Sequence, residues 1–249
     1  MKFINKFKSP NYNRRKAAKI KYIILHYTAL SNAKNAITFL CNKENKVSCH
    51  YLISQTGDVY NLVPDNMRAW HAGLSKWEED HDINSLSIGI ELDFSFNSSN
   101  NKYSPRLISS LIKLLKYISI KYNISNKNIL GHSDIAPLRK IDPGRTFSWK
   151  KLAKNNLSFY PKKNFERYYE SLESWLISLN IISKKSKTIF MLSFIGYDVN
   201  KVQKNNKNFK KLITNYQSHF IQNKVTGTLD KNTYSLIKKH VLNLVLTKS

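Results

Sequence analysis

Two cysteines, Cys41 and Cys49, are all that 249 residues contain. They lack CxxC spacing, so neither a disulfide framework nor a cysteine-rich metal knuckle is implied, and both are read as reduced thiols. Long apolar runs are also missing: Tyr22–Leu25 and Ile189–Ile195 fall far short of the ~20 residues a membrane helix needs. Met1–Lys16 is basic and polar, without the apolar stretch and cleavage site of a secretory signal. Acidic residues are scarce, 16 against 41 basic ones, for a formal net charge of +25. Such a surface attracts polyanions, but only seven of the cations are arginine. Lysine rising together with Asn and Ile is also what AT-rich coding writes on solvated surfaces. No helix-turn-helix, aromatic RNA-binding strand or zinc-finger spacing accompanies the charge, and no nucleic-acid partner is expected. Apolar residues at 41% suffice for a real core and exclude a disordered chain.

The remaining pattern divides in two. Over about the first 160 residues, strand-like pieces (Ile20–His26, His50–Ser54, Val59–Val63, Ser87–Leu92, Ile129–Leu130) alternate with helical ones. The second and third are joined by Gln55-Thr-Gly-Asp58, a hairpin signal. Asn35–Asn42 has helical spacing. Pro105–Tyr122 carries Leu107, Leu111, Leu114, Leu115 and Ile118 on one stripe. This predicts an α/β domain with a mixed central sheet flanked by helices. After Pro161 the periodicity is helical throughout (Phe165–Leu179, Thr188–Ile195, Phe209–Ile221, Asp230–Val245), with Asp230 placed as an N-cap. A small all-α second domain is expected, dividing the chain into 1–163 and 164–249.

Candidate metal ligands fall at strand ends: His26 closes one strand, His132 follows Gly131 after another, and Asp142 lies ten residues on. Two histidines and a carboxylate match the three-ligand count of hydrolytic zinc sites, which keep a fourth position for water. Singly these residues are weak signals, since a lone histidine is more often a core or surface residue. His50, His71, His81, His219 and His240 compete for the role.

Six ordered segments select among them. Tyr22-Ile-Ile-Leu-His-Tyr-Thr-Ala29, Ser48-Cys-His-Tyr-Leu-Ile53, Arg68-Ala-Trp-His-Ala-Gly73, Ser87-Ile-Gly-Ile-Glu-Leu92 after Asn84, Gly131-His-Ser-Asp134, and Arg139-Lys-Ile-Asp-Pro-Gly144 before Phe147-Ser-Trp149 together resemble the type-2 N-acetylmuramoyl-L-alanine amidases. These form the AmpD/AmiD group, related to peptidoglycan recognition proteins. The resemblance implies one zinc ion on His26, His132 and Asp142, with Glu91 and Lys140 as catalytic residues. It implies cleavage of the muramoyl–L-alanine bond of peptidoglycan or of anhydro-muropeptides. Trp70 and His71 are expected to border the cleft. Arg145, standing where the family has proline, is a further candidate for substrate contact. His50 reads as a buried structural histidine and His81 as part of a polar surface loop.

The tail resembles a three-helix peptidoglycan-binding domain through Leu192-Ser-Phe-Ile-Gly-Tyr197, Tyr216-Gln-Ser-His-Phe220 and Thr226-Gly-Thr-Leu-Asp230. Tyr216 replaces that module's phenylalanine, and residues 198–208 are poor in its glycines. Such a tail places the chain in the bacterial cell envelope, whereas a missing leader points to the cytoplasm; the envelope is the expectation adopted. The second reading is a non-catalytic wall-recognition protein. Relatives of that kind lose zinc ligands, which this chain retains. Oligomeric state is not legible.

Overall fold

In the computed structural model of the chain, residues 2–16, 19–96, 101–161 and 183–246 are described. The expected helix at 165–179 lies outside them. A five-stranded mixed sheet organises the first part. Its strands are β2 (Tyr22–Tyr27), β3 (Tyr51–Ile53), β4 (Val59–Asn61), β6 (Ser87–Leu92) and β7 (Ile129–Gly131), in the order β4-β3-β6-β2-β7. Only the β3–β4 hairpin is antiparallel. Gly57 closes its turn at φ +89°, a conformation that costs glycine little.

Interior strand β2 is apolar on both faces, as a strand covered from both sides must be. Ile23 and Leu25 join β6 residues Ile88, Ile90 and Leu92 in one cluster, and Tyr22 and Ile24 enter another. The first cluster is roofed by α3 (Pro105–Tyr122), whose Leu107, Leu111, Leu114, Leu115 and Ile118 are fully buried. Ser104 caps that helix by accepting from Leu107 N–H at 3.0 Å, with Pro105 in its first turn. On the opposite face α1 (Ala33–Leu40) packs Ala36, Ile37 and Leu40 against Leu52 of β3.

The same opposite face also carries the C-terminal helices α6 (Lys184–Ile195), α7 (Asn206–Phe220) and α8 (Lys231–Leu246). Their Met191, Leu192, Leu212, Tyr216, Phe220 and Ile237 share one apolar cluster with Tyr22, Ile24, Trp77, Leu130 and Ile135. Asp230 accepts from Thr233 N–H at 2.8 Å, the cap expected at the start of α8.

The structure adds short elements: β1 (Tyr12–Arg14) paired antiparallel with β5 (Met67–Ala69), and single-turn or two-turn helices α2 (Ile83–Leu86), α4 (His132–Ile135) and α5 (Trp149–Lys154). Both cysteines are free, Cys49 buried and Cys41 part-buried. Among the described residues, no helix is long and apolar enough to cross a membrane.

Candidate metal centre

Strand register sets up the site. Parallel pairing of β2 with β6 aligns Tyr22 with Ser87, Ile24 with Gly89 and His26 with Glu91. Partners in register project to the same side of a sheet, so Ser87, Gly89 and Glu91 share the face of His26, while the large apolar residues of β6 face α3. Strand β7 lies on the other side of β2, and its end delivers His132 directly after Gly131. The chain then loops back, pinned by Ser133 N–H donating to Asp142 O at 2.9 Å, and brings Asp142 to the same place.

His26 Nδ1 lies 2.9 Å from His132 Nδ1, and both lie 3.0 Å from Asp142 Oδ2. All three side chains are buried. The hydrogen bonds behind them fix which ring nitrogens carry protons. Ser87 Oγ donates to Ile83 O at 2.6 Å, so it accepts from His71 Nε2 at 3.2 Å. His71 Nδ1 is then left to accept from His26 Nε2 at 3.0 Å, which leaves His26 Nδ1 a bare lone pair. His132 Nε2 donates to Ala72 O at 3.0 Å, which frees its Nδ1 in the same way. Two imidazole lone pairs and a carboxylate oxygen thus converge with no donor between them. That arrangement repels itself unless a cation shares it. A tetrahedral ion with bonds of about 2.0–2.1 Å spaces its ligand atoms roughly 3.3 Å apart, so the observed triangle would open by only a few tenths of an ångström to hold one. Among the described residues this is the group of three that could hold a metal.

Burial favours neutral imidazoles at His26 and His71. Burial, then His132, lowers the His26 pKa to about 4. Burial and the neighbouring histidines hold His71 well below the usual range. Glu91 is different. Burial, then the Asp142 charge, pushes it up to about 8, with Lys140 pulling the other way. Its Oε2 has no solvent contact and no hydrogen-bond partner, although the residue as a whole is part-exposed. A cation at the triad draws such a carboxyl back towards its charged form.

A cleft of about 340 Å³ opens over these groups. His26, His71, Glu91, His132, Lys140 and Asp142 line it, with Leu30, Phe39 and Leu40 as an apolar wall. Trp70 and Arg145 are not among the lining residues. Trp70 donates from Nε1 to Asn13 at 2.8 Å, and the exposed Arg145 offers its backbone carbonyl to Gln222. His71 is held by His26 and Ser87 rather than turned to solvent. A side chain at Gly89 would put its Cβ 2.4 Å from the His71 ring, so the glycine makes room for that contact. His50 accepts from Gly89 N–H at Nδ1 and lies 3.1 Å from Met67 O at Nε2, outside the triad. His81 is exposed. Arg139 was not singled out by sequence reasoning. It lines the cleft and donates to Ala72 O at 2.7 Å and Leu74 O at 2.9 Å. Its place beside Lys140 was the only available signal.

The family described as N-acetylmuramoyl-L-alanine amidase matches residues 16–145. The N-acetylmuramoyl-L-alanine amidase AmiD of Escherichia coli is 32% identical over 231 residues, covering 88% of this chain and 81% of the relative. A solved complex of the E. coli AmiD with the substrate anhydro-N-acetylmuramic acid-L-Ala-D-gamma-Glu-L-Lys has a TM-score of 0.78 at 29% identity, over 93% of each chain. AmpDh3 from Pseudomonas aeruginosa in complex with anhydromuramic pentapeptide has a TM-score of 0.75 at 27% identity, over 94% of this chain and 96% of its own. These overlaps exceed what residues 1–163 can supply, so they take in the C-terminal helices.

Proposed function

The chain belongs to the N-acetylmuramoyl-L-alanine amidase family, and we propose that it holds one zinc ion on His26, His132 and Asp142 to hydrolyse the bond between N-acetylmuramic acid and L-alanine. The observation that carries this reading is the buried triangle of two Nδ1 atoms and Oδ2, all within 3.0 Å of one another, with each ring's far nitrogen already engaged. Two neutral imidazoles and a carboxylate suit zinc, which favours N and O donors in hydrolytic sites. When bound, the ion supplies Lewis acidity and lowers the pKa of water in its open position.

The protein's own groups do the rest. Glu91, beside His26 in the sheet register, accepts a proton from the attacking water as the water oxygen adds to the lactyl carbonyl carbon. The carbonyl electron pair moves onto oxygen, and the Lys140 ammonium at the cleft wall stabilises that charge. As the pair returns, the C–N bond breaks, and Glu91 passes its proton to the departing L-alanine nitrogen. The products are a muramic lactyl carboxylate and a free peptide amine. The apolar wall of Leu30 and Phe39 keeps water away from one side and strengthens these interactions.

For substrate we take the compounds bound by the two solved relatives, anhydro-muramoyl peptides, together with intact peptidoglycan. Residues 164–249 are assigned the role of holding the wall, on their resemblance to a peptidoglycan-binding module. A wall-holding tail raises the effective concentration of an insoluble substrate, which supports a location in the envelope. Glu91→Gln tests the chemistry. It is expected to keep stoichiometric zinc by metal analysis while kcat/KM on anhydro-muropeptide falls ~10²–10⁴-fold. Unchanged turnover in the zinc-loaded variant refutes the role given to Glu91.

A further inference from the structure

Residues 132–147 carry His132, Lys140 and Asp142, yet beyond the single turn of α4 this stretch is loop. Its free side is grasped by α7. Lys211, Asn215 and His219 recur every four residues and so form one stripe along that helix. Lys211 Nζ donates to Leu138 O at 3.1 Å. Asn215 Nδ2 donates to Pro137 O at 2.5 Å and to Lys140 O at 3.0 Å. His219 Nδ1 donates to Asp134 Oδ2 at 2.9 Å. Just beyond the helix, Gln222 donates to the carbonyls of Arg145 and Phe147.

Asp134 is 1% exposed, and it also accepts from Gly131 N–H at 2.7 Å and from the Tyr197 hydroxyl at 2.9 Å. Trp149 stacks on His219 with centroids 3.8 Å apart. The interface around these contacts is otherwise apolar. Buried donors placed within such a surface specify one alignment, because any shift leaves them unpaired.

We propose that the C-terminal helices form a positioning clamp on the metal-site loop, with Asn215 as the positioning residue that fixes Lys140 and, two residues on, Asp142. The clamp is distinct from any hold on the wall, and it rests on the zinc-amidase reading only for the site it serves. Asn215 is 3% exposed; two of the carbonyls that define the loop path depend on its amide. A replacement without donors leaves the buried Pro137 carbonyl and the part-buried Lys140 carbonyl without this partner, and the loop relaxes. Displacement of a reacting group by ~1 Å costs about 10²-fold in rate, and loss of ligand support costs ~10–100-fold in metal affinity.

The test compares full-length wild type, Asn215→Leu, Gln222→Ala and Ile237→Ala. Ile237 is buried in the same helical cluster and donates nothing to the loop, so its variant reports plain loss of stability. Gln222 is part-exposed, so its variant folds even if Asn215→Leu does not. Zinc affinity is read by competition with a chromophoric chelator, and kcat and KM are measured on soluble anhydro-muropeptide, where wall binding plays no part. Asn215→Leu is expected to weaken zinc binding and lower kcat each by at least ~10-fold with KM little changed. Gln222→Ala shifts both the same way by less, and Ile237→Ala lowers only the melting temperature. If Asn215→Leu and Gln222→Ala lose no more zinc affinity or kcat than Ile237→Ala, the clamp is refuted. A zinc-loaded wild type without amidase activity refutes the functional reading instead, and the affinity comparison still judges the clamp.

Discussion

At the residue scale the account turns on protons rather than on positions alone. Ser87, His71 and His26 pass hydrogen bonds in one direction, so the tautomer of a metal ligand is set three residues away. Partners of this kind tune affinity as strongly as many direct contacts. His71→Phe removes the acceptor for His26 Nε2–H while keeping a flat ring, and it is expected to weaken zinc binding ~10–100-fold by chelator competition. Ser87→Ala shifts it less. Unchanged affinity in His71→Phe sinks the relay. Little of this is visible along the chain. His71 stands in an alanine-tryptophan-histidine segment that suggests a cleft border, whereas its partners His26 and Ser87 lie on β2 and β6, brought together by a strand pairing that no local pattern encodes. The candidate ligands were legible only through ordered family motifs, since seven histidines offer too many triples for spacing to choose between.

The elements differ in how openly the chain declares them. Strand β6 and helix α3 have the limits expected from sequence, 87–92 and 105–122. A bounded apolar strand and a stripe with a serine-proline start are each complete local signals. The β1–β5 ribbon escaped: Tyr12–Arg14 is exposed throughout, and its partner lies more than fifty residues on, so neither alternation nor a turn marks it. Helices α2, α4 and α5 are too short to show a period.

Because α3 roofs the sheet, Leu111→Ala is expected to destabilise the chain by about 2–5 kcal/mol in chemical denaturation; a loss below about 1 kcal/mol contradicts the packing described. The same helix is moored at its far end by Asp65. Burial opposes that carboxylate's charge, but donation from Tyr51, Lys121 and Tyr122 outweighs it, and its pKa is lowered. A folded-state pKa below the unfolded one gives stability that is present above the unfolded value near 3.8 and is lost as pH falls through the folded one. Asp65→Asn is therefore expected to be less stable than wild type at neutral pH, with the gap closing as pH drops below about 4. A gap independent of pH excludes the mooring.

For the whole molecule, the charge of +25 and the shared apolar cluster of sheet and C-terminal helices bear on how the enzyme meets its substrate. Peptidoglycan carries stem-peptide carboxylates, and attraction between exposed charges is screened over about 8–10 Å at physiological salt. Sacculus binding by the full chain is expected to weaken progressively between 50 mM and 500 mM salt in a pull-down assay; binding indifferent to salt assigns the lysines to coding bias. Composition spoke faintly about function because lysine-rich charge has these two sources, and the packing of helices on sheet was equally hidden, since helical periodicity does not name the surface it will bury against. The central claim, hydrolysis at the muramoyl–L-alanine amide by a metal-loaded site, is tested most directly by turnover in ¹⁸O-water followed by mass spectrometry. With zinc restored, anhydro-muropeptide is predicted to yield unlabelled peptide beginning at L-alanine and a muramic lactyl carboxylate carrying one heavy oxygen, and chelation abolishes both. Intact muropeptide under zinc-replete conditions, or label in the peptide, contradicts the account.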